Sequence, residues 1–303
     1  MAKTRLFFVT DVHGSDRCFR KFINAGKFYN AGVLVLGGDI TGKMIVPVVK
    51  QADGTYKAEF GGTAYVLKSQ DQVNETVKNI KDSGFYPYMA EPKDVEELSA
   101  KPELVHELFK KLMKESIEGW MKLAEERLKG TGIKCYVSPG NDDYFEIEKT
   151  VFIDDEHEMI TLGYANHTPW NSPREVDEDV LQQKIDKMIA QVKNMKTTLF
   201  NLHVPPINTV IDQAPKLDEN LKPVISGGNI VMTSAGSTAV RASIEKHQPL
   251  AGIHGHIHES RGMVKIGQTM CFNPGSEYNS GILKGLLCDI EKDKVKSYML
   301  TSG

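Results

Sequence analysis

The chain has 303 residues, enough for one large domain or two modest ones. Its 37 basic and 40 acidic residues give a formal charge of −3, so it lacks the strong basic field of a protein that wraps nucleic acid or an anionic membrane. Apolar residues make up 40% and charged residues 25%, a balance typical of a folded globular protein and unlike that of a disordered one.

The sequence carries no mark of secretion or membrane insertion. No apolar run approaches the roughly 20 residues of a membrane helix, and the first eleven residues do not resemble a signal peptide. The cysteines form no C-x-x-C pair and no cluster, so we expect reduced thiols rather than disulfides or a zinc ribbon. These features predict a cytoplasmic protein without membrane attachment and leave its oligomeric state open. The four cysteines are Cys18, Cys135, Cys271 and Cys288.

Short apolar runs recur along the chain, and each ends at a glycine or a polar residue. Continuous runs of this length are typical of strands that are covered on both faces, as in an α/β sheet. The C-terminal region 264–300 alternates short apolar runs with turn residues and predicts further strands. The clearest runs are residues 6–9, 33–36, 133–137, 199–202 and 250–253.

Helical periodicity lies between these runs. The segment Ser172-Pro173-Arg174-Glu175 has the pattern of a capping box with proline at the first helical position, and it predicts a helix that begins there and continues to Val192. Apolar residues also recur at helical spacing in three further segments, residues 15–26, 102–129 and 237–247.

Residues 43–100 do not fit the alternation of buried strands and helices. The segments 44–49, 56–60 and 63–67 predict a small meander with a hairpin turn at Asp53-Gly54. Residues 72–81 predict a helix, and 84–100 are expected to be irregular. We interpret 43–100 as an insertion within a single domain of residues 1–303, either a surface excursion or a cap over the substrate.

Residues that can bind metal ions follow the predicted strands directly. Ligands of open α/β sheets bind at the carboxyl ends of strands, so these side chains are expected to meet at one edge. In Asp-x-His and His-x-His both side chains project to the same side of an extended segment, and Gly255 lets the backbone come close. Three of the nine histidines lie within residues 254–258, which chance explains poorly. The candidate ligands are Asp11, His13, Asp39, Asn141, His203, His256 and His258.

The order of these residues resembles the five-block pattern of the calcineurin-like metallophosphoesterases. That pattern runs Asp-x-His, Gly-Asp-x-x-Asp, Gly-Asn-His-Asp/Glu, a lone His, and Gly-His-x-His. The segments His203-Val204-Pro205-Pro206 and Asn273-Pro274-Gly275-Ser276 also look like those of the family. The blocks span most of the chain and are Asp11-Val12-His13, Gly38-Asp39-Ile40-Thr41-Gly42, Gly140-Asn141-Asp142-Asp143, His203 and Gly255-His256-Ile257-His258.

The resemblance implies an α/β fold, a four-layered α/β/β/α sandwich with a dinuclear metal centre. Imidazole and carboxylate ligands suit Mn, Fe, Zn or Ni without choosing among them. Two cations about 3.5–4 Å apart clamp a phosphate and lower the pKa of a bridging water. The implied reaction is attack of the resulting hydroxide on a phosphodiester or a small phosphorylated metabolite. In this assignment one metal is held by Asp11, His13, Asp39 and His258, and the second by Asp39, Asn141, His203 and His256, with Asp39 as the bridge.

Two positions depart from the family pattern. Gly42 stands where a second, supporting carboxylate is usual, and Asp142 stands where most members carry a histidine that contacts the phosphate and helps the leaving group depart. An aspartate beside two cations is expected to be ionised, and an ionised carboxylate donates protons poorly and repels a phosphate. The leaving group then needs little help, or another group donates the proton, or Asp142 binds a basic part of the substrate or a third ion.

Asp142 and His254 are therefore the candidate catalytic residues. His254 is the nearest alternative proton donor along the chain, although a histidine at a strand end more often hydrogen-bonds to the backbone or supports a ligand. Asp143 is expected to be a supporting carboxylate rather than a ligand. Trp170 and Tyr278 are expected in the core rather than in a substrate pocket.

The expected partner is a small phosphoester, because the sequence gives no strong nucleic-acid signal. A phosphomonoesterase or a nucleotide pyrophosphohydrolase is the alternative enzyme, disfavoured since alkoxide leaving groups of monoesters need protonation more. A non-catalytic metal-binding scaffold of the same fold is the other alternative. The presence of all seven candidate ligands counts against it.

Overall fold

The computed structural model describes residues 3–145 and 147–303. Within these ranges, no helix is both long and apolar enough to cross a membrane. The helices are α1 (Asp16–Phe28), α2 (Gln70–Asp82), α3 (Pro92–Ala100), α4 (Pro102–Leu128), α5 (Glu178–Ile189) and α6 (Thr238–His247). The strands of the first half are β1 (Lys3–Val9), β2 (Val33–Gly37), β3 (Ile45–Lys50), β4 (Tyr56–Phe60), β5 (Thr63–Leu67), β6 (Tyr86–Ala90), β7 (Lys134–Ser138) and β8 (Lys149–Phe152). The later strands are β9 (Glu158–Leu162), β10 (Thr198–Leu202), β11 (Gln213–Pro215), β12 (Ile225–Ser226), β13 (Asn229–Ile230), β14 (Met232–Ser234), β15 (Ala251–Ile253), β16 (Gly262–Ile266), β17 (Thr269–Asn273), β18 (Lys284–Glu291) and β19 (Lys294–Ser302).

Two large sheets contain the strands that the apolar runs predict. The first has the order β19-β18-β1-β2-β7, and its members β1, β2 and β7 are parallel. The second has the order β16-β17-β15-β10-β9-β8, and its four inner strands are parallel. Parallel strands end at the same edge of a sheet, so the segments after β1, β2, β7, β10 and β15 can reach one another.

The strands have buried side chains on both faces. In β1, Phe8 packs in the apolar layer between the two sheets, whereas Phe7 packs with Phe19 and Phe22 of α1. On the far side of the second sheet, α5 and α6 cover Phe200 and its neighbours. The order of layers is therefore helix, sheet, sheet, helix, and the expected four-layered α/β/β/α sandwich is confirmed.

Residues 45–90 form a separate sheet with the order β5-β4-β3-β6. The apolar faces of β3 and α2 meet in its own small core around Val48, Val73 and Ile80. The meander and the helix of this region match the sequence prediction, but the irregular conformation expected for 84–100 is wrong. There β6 pairs in parallel with β3, and α3 follows with Pro92 in its first turn. Because its partner lies some forty positions away, the strand has no local hairpin signal.

The helix predicted to begin at Ser172 is also wrong. The helix of this region, α5, begins at Glu178 and ends at Ile189, short of Val192. The Ser172 hydroxyl donates instead to Oδ1 of Asp142 at 2.5 Å, and the backbone after it forms an isolated bridge to another segment. The sequence pattern does not reveal this contact with a residue thirty positions earlier.

Candidate metal centre

The seven candidate ligands lie together where the two large sheets meet at their carboxyl ends. The first sheet contributes the residues after β1, β2 and β7, and the second contributes those after β10 and β15. Most of these side chains are buried, and the rings of the last two histidines are partly exposed. The first-sheet members are Asp11, His13, Asp39 and Asn141, and the second-sheet members are His203, His256 and His258.

One group of ligand atoms gathers around Asp11, His13 and His258, with each pair within 4.8 Å. The Nε2 atoms of His13 and His258 are 3.1 Å apart, and Nε2 of His258 is 3.4 Å from Oδ1 of Asp11. Nε2 of His13 also lies 3.7 Å from Oδ2 of Asp39. Nitrogen and oxygen atoms that converge in this way can share one cation.

A second group gathers around Asp39, His203 and His256. Nε2 of His203 lies 3.4 Å from Oδ1 of Asp39, and Nδ1 of His256 lies 2.8 Å from Oδ1 of Asn141. The two carboxylate oxygens of Asp39 therefore face different groups, Oδ2 toward His13 and Oδ1 toward His203. A carboxylate in that position can bridge two ions.

The protonation of the histidines fits a cation site. Burial lowers the pKa of His13 to about 3 and that of His256 to about 4, so both rings are neutral at pH 7 and offer a lone pair. Nδ1 of His203 faces the carbonyl oxygen of Gly37 at 3.2 Å, which leaves its buried Nε2 without a hydrogen-bond partner. Burial opposes a charge on His203, yet the Asp39 carboxylate raises its pKa to about 9. A cation bound here would take the place of that proton.

The backbone of the centre is strained. Four of the candidate ligands have positive φ angles, at 53° for Asp11, 38° for His13, 46° for Asp39 and 67° for His256. Such conformations cost on the order of 1–3 kcal/mol each and persist only where the surroundings enforce them. A Cβ on Gly255 would overlap the carboxylate of Asp11, so the close approach expected at this glycine is present.

Hydrogen bonds from outside the ligand set hold these loops in place. The backbone N–H of His256 donates to both carboxylate oxygens of Asp11 at 3.1 Å, and the hydroxyl of Ser276 donates to the carbonyl of Asp11 at 2.6 Å. Nδ2 of Asn273 donates to the carbonyls of Gly255 and Ile257 on either side of His256. The Asn-Pro-Gly-Ser segment therefore braces the loop that carries two of the histidines.

Asp143 stabilises two of the loops that carry the candidate ligands. Its buried carboxylate accepts hydrogen bonds from the backbone N–H groups of Ile40, Thr41 and Gly140, and from the hydroxyl of Thr41. These contacts tie the loop after β2 to the loop after β7. At Gly42, where the resemblance predicts a carboxylate, a Cβ would lie 2.5 Å from the carbonyl oxygen of Gly84, so this position has no room for a side chain.

Asp142 lies at the edge of the centre, where its carboxylate forms a third group of candidate ligand atoms with His13 and Asp39. Its Oδ2 is 2.9 Å from Nζ of Lys43 and 4.0 Å from Nδ1 of His13. Its Oδ1 accepts from Ser172 at 2.5 Å and from Nδ2 of Asn141 at 3.2 Å. Sequence reasoning missed Lys43 and Ser172. Lys43 carries a signal in retrospect, because it follows the Gly-Asp block directly.

Among the described residues, His254 belongs to none of the groups of candidate ligand atoms. It is fully buried, its Nδ1 lies 2.7 Å from the carbonyl oxygen of Leu202, and burial lowers its pKa to about 4. Its Nε2 lies so close to the backbone of Gly252 that a Cβ there would be 2.5 Å away. The side chain faces the body of the second sheet, an arrangement suited to support.

The aromatic residues differ from their predicted burial. The indole of Trp170 is 62% exposed, so the expectation of a core position is wrong. The ring of Tyr278 is half-buried and lies 4.7 Å from that of His13 and 6.0 Å from that of His258, which places it beside the centre. A cleft of about 410 Å³ adjoins this tyrosine, with Arg261 and Lys284 in its wall.

No family model matches this sequence. Among curated proteins, the chain is similar to MJ1162 of Methanocaldococcus jannaschii, which is described as uncharacterized. The two are 34% identical over 118 residues, which are 38% of this chain and 47% of that protein. The chain thus spans about half the length of the curated relative that it matches.

Solved structures resemble the whole chain in fold. One crystal structure is 15% identical and superposes with a TM-score of 0.56 over 99% of both chains. TT1561 of Thermus thermophilus is 14% identical over 100% of this chain and 99% of its own, with a TM-score of 0.44. A dimetal phosphatase from Danio rerio is 8% identical over 94% and 95%, with a TM-score of 0.43. At these identities the likeness concerns the fold alone, and the first superposition agrees with the sandwich described above.

Proposed function

We propose that the chain is a metal-dependent phosphoesterase of the calcineurin-like type, with two divalent cations held by the seven clustered residues. The observation that carries the proposal is the position of Asp39, whose two oxygens face two separate groups of ligand atoms. Mixed nitrogen and oxygen donors suit Mn, Fe, Zn or Ni. The first cation is assigned to Asp11, His13, Asp39 and His258, and the second to Asp39, Asn141, His203 and His256.

Two cations at such a site polarise a phosphate and lower the pKa of a water molecule toward neutrality. The side chains of the centre supply negative charge, lone pairs and fixed positions. Asp39 contributes negative charge to both positions, and the neutral rings of His13 and His256 contribute lone pairs without adding charge. The braced loops hold these atoms in place before substrate arrives, which limits the reorganisation needed during the reaction.

The substrate class that fits best is a phosphodiester or a small phosphorylated metabolite. The cleft beside Tyr278 has room for a small group, and its wall carries Arg261 and Lys284 together with Glu259 and Glu277. Lys284 is already paired with Glu277 at 2.9 Å, which limits the net charge of the cleft. A long duplex needs a broad basic surface, which the overall charge of −3 does not provide.

A phosphomonoesterase or nucleotide pyrophosphohydrolase is the second candidate, and the ion pair of Lys43 with Asp142 favours it. The sequence argument against monoesters is that their alkoxide leaving groups need protonation, which an ionised Asp142 does not supply. An ionised Asp142 would also repel the phosphate. The ammonium of Lys43 at 2.9 Å offsets that charge, so a more highly charged phosphoryl group is tolerated.

We further propose a cytoplasmic location and one domain over residues 1–303, with 43–100 as its insertion. Four free cysteines, three of them buried, agree with a reducing compartment. His254 as the proton donor remains a prediction. Its low pKa and its hydrogen bond to Leu202 favour a supporting role instead.

The decisive experiment is hydrolysis of bis(4-nitrophenyl) phosphate and 4-nitrophenyl phosphate by chelator-treated protein, with and without added Mn²⁺. Turnover that returns with the metal supports a phosphoesterase, and the ratio of the two rates separates the diesterase from the monoesterase. Absence of turnover of both esters in protein shown to hold two equivalents of metal would overturn the proposal in favour of a binding scaffold.

A further inference from the structure

The pair of Lys43 and Asp142 occupies the position where the resemblance predicts a phosphate-contacting histidine. Lys43 directly follows the loop of Asp39, and Asp142 directly follows Asn141, so both come from segments that carry candidate ligands. The side chain of Lys43 is 46% exposed, whereas that of Asp142 is 22% exposed. The ammonium therefore lies at the solvent-accessible edge of the centre.

Asp142 is held in a single orientation by three neighbours. Ser172 and Nδ2 of Asn141 both donate to Oδ1, and the backbone N–H of Asp142 donates to Oδ1 of Asp39 at 3.0 Å. Because Oδ1 is engaged, Oδ2 is the atom that faces Lys43. A lysine side chain loses conformational entropy when it becomes ordered, and the ion pair with a fixed carboxylate offsets that loss.

Lys43 neutralises the negative charge of Asp142 beside the centre. An unpaired aspartate beside the centre would repel the phosphate, but an ammonium has three N–H donors and uses one on Asp142. Among the described residues Asp142 is the one hydrogen-bonding partner of Lys43. At least one N–H thus remains to bind a phosphoryl or leaving-group oxygen.

We propose that Lys43 is a catalytic residue that takes the place of the family histidine, with Asp142 and Ser172 as its positioning residues. This inference rests on the proposed phosphoesterase function. During hydrolysis the oxygen of water bonds to phosphorus, and the ester P–O bond breaks with its electron pair left on the departing oxygen. Lys43 donates a hydrogen bond to that oxygen as its charge grows. One proton of the water reaches the released alcohol through solvent, and Lys43 is unchanged at the end.

This role makes a specific prediction about leaving groups. A good leaving group such as 4-nitrophenolate carries its charge without help, whereas an unsubstituted phenolate depends on the hydrogen bond. Removing the ammonium should therefore harm the poorer substrate more. A merely structural role would lower both rates by the same factor.

The test measures kcat/KM of the Mn²⁺-loaded protein with 4-nitrophenyl methyl phosphate and phenyl methyl phosphate. Relative to wild type, Lys43→Met is expected to lose about tenfold with the first ester and about a thousandfold with the second, in line with general acid–base and oxyanion contributions of 10²–10⁴. Lys43→Arg keeps a cation and is expected to retain most of the rate with both. Lys57→Met, on an exposed strand of the insertion, is the matched control and should change neither.

Two further readouts separate catalysis from folding and metal binding. Metal content by mass spectrometry should be the same in wild type and Lys43→Met, and calorimetric titration with inorganic phosphate should show about tenfold weaker binding in the variant. The double variant Lys43→Met, Asp142→His restores the family residue and should regain activity toward the phenyl ester relative to Lys43→Met.

Equal losses with both esters, or wild-type kinetics in Lys43→Met, would overturn the role of Lys43 while leaving the phosphoesterase proposal intact. A wild-type protein that binds metal and hydrolyses neither ester contradicts both proposals. Wild-type phosphate affinity in Lys43→Met would also count against direct contact with the substrate.

Discussion

The carboxylate of Asp39 comes within 3.4 Å of Nε2 of His203, although the two residues follow strands of different sheets. Asp39 belongs to the first sheet and His203 to the second, and the apolar layer between the sheets sets their separation. A cation held by both would bind the packed sandwich and not the unfolded chain. Metal binding is therefore linked to stability as well as to activity.

The first prediction concerns the bridge. Replacing Asp39 by alanine removes a carboxylate whose two oxygens face different ligand groups, so the variant should lose at least one equivalent of Mn²⁺ and at least about a hundredfold in turnover. Metal analysis after dialysis and the diester assay measure the two effects. Asp53→Ala, in an exposed turn, is the control. Near wild-type turnover in Asp39→Ala would rule out the dinuclear assignment.

A second prediction compares two glycines. A Cβ at Gly140 would overlap Oδ1 and the backbone nitrogen of Asp39, so Gly140→Ala should displace the bridge and weaken metal binding by tenfold or more. A Cβ at Gly119 meets nothing within 4 Å, and this residue lies inside α4. Gly119→Ala should raise the free energy of unfolding by about 0.5–1 kcal/mol and leave metal binding unchanged.

For Gly140→Ala and Gly119→Ala, calorimetric titration with Mn²⁺ measures the metal affinity. Urea unfolding of the metal-free proteins measures the free energy of unfolding. The same metal affinity in both variants would mean that the loop after β7 can move without disturbing Asp39.

The sequence alone predicts β1, β2, β7, β10 and β15 because each is a continuous apolar run followed by a glycine or a polar residue. It does not predict β8 or β9. Because the candidate ligands follow such runs, the sequence alone also places these seven side chains at one edge of the sheets. The conformation of Ser172 is not predictable in this way, because the capping-box pattern does not reveal its contact with Asp142. Lys43 is missed for a related reason. Its position directly after the Gly-Asp block is a signal only in retrospect, because the sequence does not show the carboxylate that Lys43 meets about a hundred positions later.

Asp143 gives a third prediction, about stability rather than chemistry. Its carboxylate accepts hydrogen bonds from three buried backbone N–H groups, and Asp143→Ala leaves them without a partner. The metal-free variant should lose about 2–4 kcal/mol in the free energy of unfolding. Asp218→Ala is the matched control, because Asp218 also accepts hydrogen bonds from two backbone N–H groups but lies in an exposed turn. This substitution should lower the free energy of unfolding by less than about 1 kcal/mol. Similar losses in both variants would show that burial of the Asp143 network is not what stabilises these loops.

The final prediction is a pH dependence at the opposite side of the first sheet. Asp289 of β18 accepts hydrogen bonds from Nε and Nη2 of Arg5 at 2.8 and 3.1 Å, and its Oδ2 also lies 2.8 Å from Nζ of Lys3 and 2.9 Å from the hydroxyl of Ser297. Hydrogen bonding to Arg5 holds the pKa of Asp289 well below its usual range, despite an opposing effect of burial. The ionised form is thus favoured by the folded state.

The direction of the pH dependence of stability follows from the lowered pKa of Asp289. The stabilisation is fully present above the unfolded-state pKa of about 3.9 and is lost as the pH falls toward the folded-state pKa. Asp289→Asn should therefore cost about 1–2 kcal/mol at pH 7, a modest value because Lys3 and Arg5 are partly exposed to solvent. At pH 3 the difference between wild type and variant should shrink. Urea midpoints at the two pH values measure it, with Asp293→Asn as an exposed control, and a difference that stays constant would exclude the ion pair as its source.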